Sequence, residues 1–144
     1  MPKTGQAKWN AGRSAARNAA EVLPRLVAEY FKRGKKLIGS SPSLAAIHKF
    51  RILTKRLRYT LELFQPCYGP SLDRRLGTLR DMQQCLGDLN DCAMIRERVK
   101  DTALRAELDR RIERKRLEFL ALWKRFDAPG SERRWTDYLS RFAR

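Results

Sequence analysis

The sequence predicts an all-α protein, an antiparallel helical bundle with one basic face. Apolar residues recur at spacings of three and four along nearly the whole chain while sustained alternation is almost absent, so the hydrophobic period is helical. Three clusters of helix-stopping or helix-capping residues, Gly39 to Ser43, Gln65 to Pro70 and Ala128 to Ser131, cut this pattern into blocks of bundle-helix length. Short connections between long helices favour antiparallel neighbours. With 144 residues, 42% of them hydrophobic, residues 1–144 are expected to form a single domain with a buried core.

The first block runs from about Asn10 to Leu37 and contains Pro24, which either kinks one helix or opens a second after a short break. The second, Ser43 to Phe64, has the best marked ends, with a serine placed to accept from the first turn and Pro66 just beyond the last. Ser71 is placed to cap the third block, which carries Leu72, Leu76, Leu79 and Leu86. Gly87 lowers helix propensity there and Asn90 or Asp91 can begin a fresh turn, so a kink or restart is expected between Gly87 and Asp91. A fourth block, from about Asp101 to Phe126, is dense in charge, with Leu104, Leu108, Ile112, Leu117, Phe119 and Leu120 as its expected core. A short amphipathic tail from Ser131 to Phe142 follows within residues 131–144. Neither an internal repeat nor a low-complexity tract is evident.

Charge is the first functional clue. Lys and Arg number 32 against 16 Asp and Glu, a formal net charge of +16. A field of that size draws in polyanions, and Arg outnumbers Lys by about two to one. The planar guanidinium fork suits phosphate oxygens, which tilts the expectation from carboxylate toward phosphate. No apolar run is long enough to cross a membrane or to form the central region of a signal peptide, so a cytoplasmic protein without membrane contact is expected. Cys67, Cys85 and Cys92 make an odd count without a Cys-x-x-Cys spacing, which reads as small core or boundary thiols and not as a disulfide or zinc framework.

The second block carries the chemistry. At about 100° per residue, Phe50, Leu53, Leu57, Leu61 and Phe64 share an apolar stripe. The same projection places His48, Arg51, Lys55 and Arg58 on the opposite side, with Tyr59 and Glu62 bordering them and Lys49 and Arg56 broadening the ladder. Like charges at these spacings repel by a few tenths of a kcal/mol per pair, so the ladder suits an anion or neighbouring carboxylates. An extended anion fits its length better than a single phosphate. His48 is the only histidine, so a multi-histidine metal centre is excluded; it reads either as an anion contact or as a packing residue. In the third block Arg80, Gln84, Asp88 and Asp91 fall along one flank of the leucine stripe, with Gln83 nearer to it.

The run His48-Lys49-Phe50-Arg51-Ile52-Leu53-Thr54-Lys55-Arg56-Leu57-Arg58-Tyr59, with Glu62 and Phe64 after it, resembles the signature of CHAD domains, the conserved histidine α-helical domains. The run Gln84-Cys85-Leu86-Gly87-Asp88-Leu89-Asn90-Asp91 looks like that family's second signature. The resemblance is strongest over residues 43–98. It implies an all-helical basic module that binds inorganic polyphosphate, often directs proteins to polyphosphate granules, and sometimes accompanies a CYTH triphosphatase domain. It implies binding and not turnover, with no cofactor. The family's basic surface maps onto His48, Arg51, Lys55, Arg56 and Arg58, with Arg80 and Lys49 beside it. Lys32, Arg33, Lys35 and Lys36, and Arg114, Lys115 and Arg116, are added on charge alone.

The family's usual domain resembles two helical halves around a basic pore, and this chain looks like one half without a CYTH domain. Two copies associating about a two-fold axis are therefore expected to rebuild the channel, since such dimers are the commonest homo-oligomers. The alternative partner is nucleic acid, for which net charge is equal evidence; but Trp9, Trp123 and Trp135 are scattered and the ladder holds only Tyr59 for stacking. An enzyme acting on phosphoanhydrides would require a metal held by clustered carboxylates, for which only Asp88 and Asp91 stand in the right neighbourhood. A further reading makes the tail, Ser131 to Phe142, a recruiting element on a granule surface.

Overall fold

A computed structural model describes residues 9–40 and 42–144. The second helix, α2 (Leu44–Leu63), and the first, α1 (Ala15–Ile38), both begin at serine caps: Ser14 accepts from the Arg17 N–H and Ser43 from the Ala46 N–H. Each cap satisfies a donor that the first turn otherwise leaves free. Pro24 lies inside α1, which continues unbroken past it, so the choice the sequence left open resolves to one helix. A short helix, α3 (Gln65–Tyr68), and a 3-10 turn (Gly69–Leu72) reverse the chain, and Gly69 supplies a φ of 70° that a side chain would resist. Two long helices follow, α4 (Asp73–Arg98) and α5 (Thr102–Phe126), the latter capped by Asp101 accepting from Leu104 N–H at 3.0 Å. The last helix is α6 (Ser131–Arg141).

Two expectations are corrected in α4. Ser71 does not cap it; its hydroxyl donates to the Tyr68 carbonyl at 3.0 Å and meets the Tyr138 hydroxyl, so it ties the turn to α6. Nor does the helix break at Gly87 to Asp91, because Leu86 and Leu89 are buried on either side of Gly87 and packing outweighs the glycine's propensity cost. In α5 two of the expected core residues face solvent. Leu104 and Leu117 are exposed, whereas Leu108, Phe119, Trp123 and Phe126 are buried.

The four long helices form an antiparallel bundle, with α4 lying between α2 and α5 and α6 packed along α1. Its centre is aromatic. Tyr30 stacks on Phe50 at 4.8 Å between ring centroids and Phe31 on Phe126 at 4.7 Å, with Trp123 edge-on to Phe50 at 5.6 Å. The two buried hydroxyls of this region are paired: the Thr54 hydroxyl donates to the Phe50 carbonyl at 2.9 Å and accepts from Tyr30 at 2.8 Å. α6 is no free tail. Trp135, Tyr138 and Leu139 are buried, Tyr68 donates to the Leu139 carbonyl at 2.7 Å, and the Arg144 N–H donates to the Cys67 carbonyl. The apolar face offered to a recruiting role is thus occupied within the fold. Cys67, Cys85 and Cys92 are all free thiols, and no described helix is long and apolar enough to cross a membrane.

Candidate functional site

The apolar stripe of α2 is rotated toward the cationic ladder relative to the sequence projection. Ile47 and Thr54 are fully buried alongside Phe50, Leu57 and Leu61, while Leu53 and Phe64 are only partly covered. Arg51 and Arg58 consequently do not point away from the core. They lie half-buried in the seam between α2 and α4, and the Arg58 side chain is only 17% exposed. His48 and Lys55, on the same helix line, remain exposed. Lys49 and Arg56 are exposed but sit one residue further on, about 100° round the helix, on the side away from Arg51 and Arg58. They widen the cationic surface of α2 without joining the seam.

The antiparallel approach of α4 completes the seam. At one end the His48 imidazole Nδ1 is 2.9 Å from the Asn90 amide oxygen; with that oxygen accepting, Nδ1 carries the proton. At the other end Glu62 is shared by two guanidiniums, Arg58 Nη1 at 3.4 Å and Arg80 Nη2 at 3.3 Å. Arg80 therefore belongs with the ladder. Between these ends the Arg58 guanidinium carbon lies 4.7 Å from the Tyr59 ring centroid and Lys55 Nζ 5.8 Å from it, both within cation–π range. The neighbouring Arg58, assisted by Gln83 and the charge of Lys55, lowers the Tyr59 pKa from its ordinary value.

Three polar atoms of the seam are buried without a hydrogen-bond partner among the described residues: Arg51 Nε, Arg58 Nε and Gln83 Oε1. Native interiors leave few such atoms, and each costs about 1–3 kcal/mol of desolvation. Their concentration along one helix pair sets the seam apart from the rest of the bundle. Asn90 and the bridging role of Glu62 are not apparent from the sequence, although both belong to the two quoted motifs, and Gln83, one residue before the second motif, is placed by the sequence only near the leucine stripe. What was missing was the register of α2 against α4, which decides which side chains meet.

The remaining cations lie elsewhere. Lys32 and Lys36 are exposed on α1, and among the described residues no ion pair joins them to α2. Lys35 pairs with Asp127 and Glu132 across to the α5–α6 end, and Arg33 with Glu29. Arg114 and Lys115 face carboxylates as well: Arg114 reaches Glu107, while Lys115 pairs with Asp88 at 3.3 Å and Glu118 at 3.2 Å. Asp88 and Asp91 line a cleft of about 480 Å³ between α4 and α5 together with Arg111 and Lys115, away from the seam. Among the described residues no group of three or more His, Cys, Asp or Glu is placed to hold a metal ion.

Comparison with known families decides the assignment. The model of the CHAD domain matches residues 3–100, about two thirds of the chain. The protein belongs to the CHAD family. The matched stretch contains α1, α2, α3 and α4, and so the whole α2–α4 seam, whereas α5 and α6 lie beyond it. No curated protein and no solved structure matches the chain.

Proposed function

We propose that this CHAD protein binds inorganic polyphosphate along α2 and its seam with α4, and does so without consuming it. The observation that carries the reading is the alignment of His48, Arg51, Lys55 and Arg58 along one helix with Arg80 brought in from α4, where two arginine Nε atoms have no partner among the described residues. Such a row presents successive donors to a linear phosphate chain, each gaining from charge assistance and from release of condensed counterions. Lys49 and Arg56 extend the surface round the helix for a chain that wraps, and Lys32 and Lys36 add to the long-range field. Binding without turnover is supported by Asp88, whose carboxylate is engaged by Lys115 and by the Gln84 amide at 3.1 Å.

Nucleic acid is the weaker partner. The Tyr59 ring, the one aromatic of the ladder, lies beside Arg58 and Lys55, so a base would have to displace a cation to stack there. Association of two copies and residence at polyphosphate granules complete the reading. Calorimetry at physiological salt, with single-stranded RNA of matched charge as competitor, tests it. Tight polyphosphate binding that survives excess RNA is expected; one-for-one displacement by RNA would reduce the protein to a general polyanion binder. Light scattering coupled to size-exclusion chromatography, with and without polyphosphate, reads the dimer.

A further inference from the structure

We infer that Glu62 is an internal competitor for phosphate, a carboxylate that occupies the Arg58–Arg80 end of the seam and makes the site select long phosphate chains over short ones. The inference rests on the polyphosphate reading and deepens it. Glu62 is the one acidic side chain on α2, in a helix that carries His48, Lys49, Arg51, Lys55, Arg56 and Arg58. Its Oε1 holds two guanidiniums from two different helices at 3.3 and 3.4 Å, which is the bridging geometry a phosphate oxygen would adopt between the same pair. The carboxylate is 30% exposed and Arg80 is 49% exposed, so an incoming anion has access to both without unfolding the seam. Arg58, at 17% exposed, is mostly covered and lies beside the Tyr59 ring.

Competition of this kind acts unequally on ligands of different length. A short phosphate that seeks the Arg58–Arg80 pair must displace Glu62 or sit against its negative charge. A long chain has the rest of the row, Lys55, Arg51 and His48, and can bind there while leaving Glu62 in place. Both pairs open to solvent on the carboxylate side, where screening keeps such pairs weak and displaceable.

The test compares tripolyphosphate with long-chain polyphosphate by calorimetry on the full chain, for the wild type, Glu62→Gln, Arg80→Ala and the double variant. Glu62→Gln keeps size and helix propensity and is expected to tighten tripolyphosphate about tenfold, or about 1.4 kcal/mol, while long-chain affinity moves less than about threefold. The gain is expected to shrink when Arg80 is already alanine, because the competitor then guards half a site. Glu97→Gln, which neutralises an exposed acid at the far end of α4, controls for net charge. An equal gain from Glu97→Gln, or no tripolyphosphate gain in Glu62→Gln, overturns the inference while polyphosphate binding by the wild type stands. Failure of the wild type to bind either phosphate overturns the functional reading itself, and this inference with it.

Discussion

Gly34 of α1 lies directly against the Trp123 indole of α5. A Cβ built on Gly34 would overlap Cη2, Cζ2 and Cζ3 of that ring, well inside contact distance. Gly34 is buried and Trp123 is 3% exposed, hemmed in by Tyr30, Phe31, Phe50 and Phe126, so neither partner has room to retreat. This glycine is kept for closeness of approach and not for its backbone freedom.

Gly34→Ala is therefore expected to destabilise the fold by about 1–3 kcal/mol through overpacking, despite the better helix propensity of alanine. Gly77, within α4, is the contrast: nothing lies within 4 Å of a Cβ placed there. Gly77→Ala should stabilise by about 0.4–1 kcal/mol. Opposite shifts in urea midpoint for these two glycine-to-alanine changes would support the packing account; equal shifts would sink it.

The Tyr30–Thr54 pair carries an asymmetric prediction. Because Thr54 already donates to the Phe50 carbonyl, Tyr30 must be the donor between the two hydroxyls. Thr54→Val strips the buried tyrosine hydroxyl of its acceptor and is expected to cost about 1–3 kcal/mol. Tyr30→Phe leaves Thr54 bonded to its own helix and should cost less, about 1 kcal/mol. In the double variant most of the Thr54→Val penalty should disappear, which denaturant unfolding of all four proteins measures as a coupling energy.

How far this structure was legible beforehand differs between its parts. The ends of α2 followed from Ser43 and Pro66, because capping and stopping are decided by residues adjacent in sequence. The continuation of α4 past Gly87 did not, since it depends on Leu86 and Leu89 finding partners on other helices. The ladder itself was visible in the spacing of His48, Arg51, Lys55 and Arg58. Its orientation was not, because Thr54, polar by type, counts against the core in any projection, whereas Tyr30 draws it inside. The same limit hid the seam: Glu62 with Arg80, and His48 with Asn90, are pairings between helices.

Replacing Arg51, Lys55 and Arg58 together by Ala probes the ladder. The variant should remain helical but melt at lower temperature, because the mostly covered Arg58 contributes packing as well as charge. Polyphosphate affinity should fall by more than tenfold, about 1.4 kcal/mol. The dependence of log affinity on log salt should flatten by roughly 2, about 0.7 for each phosphate contact removed, taking single-stranded polyanions as the guide. An unchanged salt slope would mean that these three residues are not the contacts.

Cys85 supplies a prediction in pH. Its thiol is 2% exposed, donates to the Lys115 carbonyl at 3.4 Å, and is pushed up to about 11 by burial, with nearby Glu118 acting in the same sense. Since the thiolate is the reactive form, Cys85 should stay unmodified by a disulfide reagent at pH 8 while the half-buried Cys67 and Cys92 react. Full labelling of all three thiols is expected only after denaturation. The linkage follows in sign: the folded chain holds a proton that the unfolded chain releases near pH 9, so this contribution to stability is complete below about pH 9 and is lost as pH rises toward about 11. Cys85→Ala should remove that part of the alkaline decline, at the cost of a small cavity; a decline identical to wild type would show that the thiol is not its source.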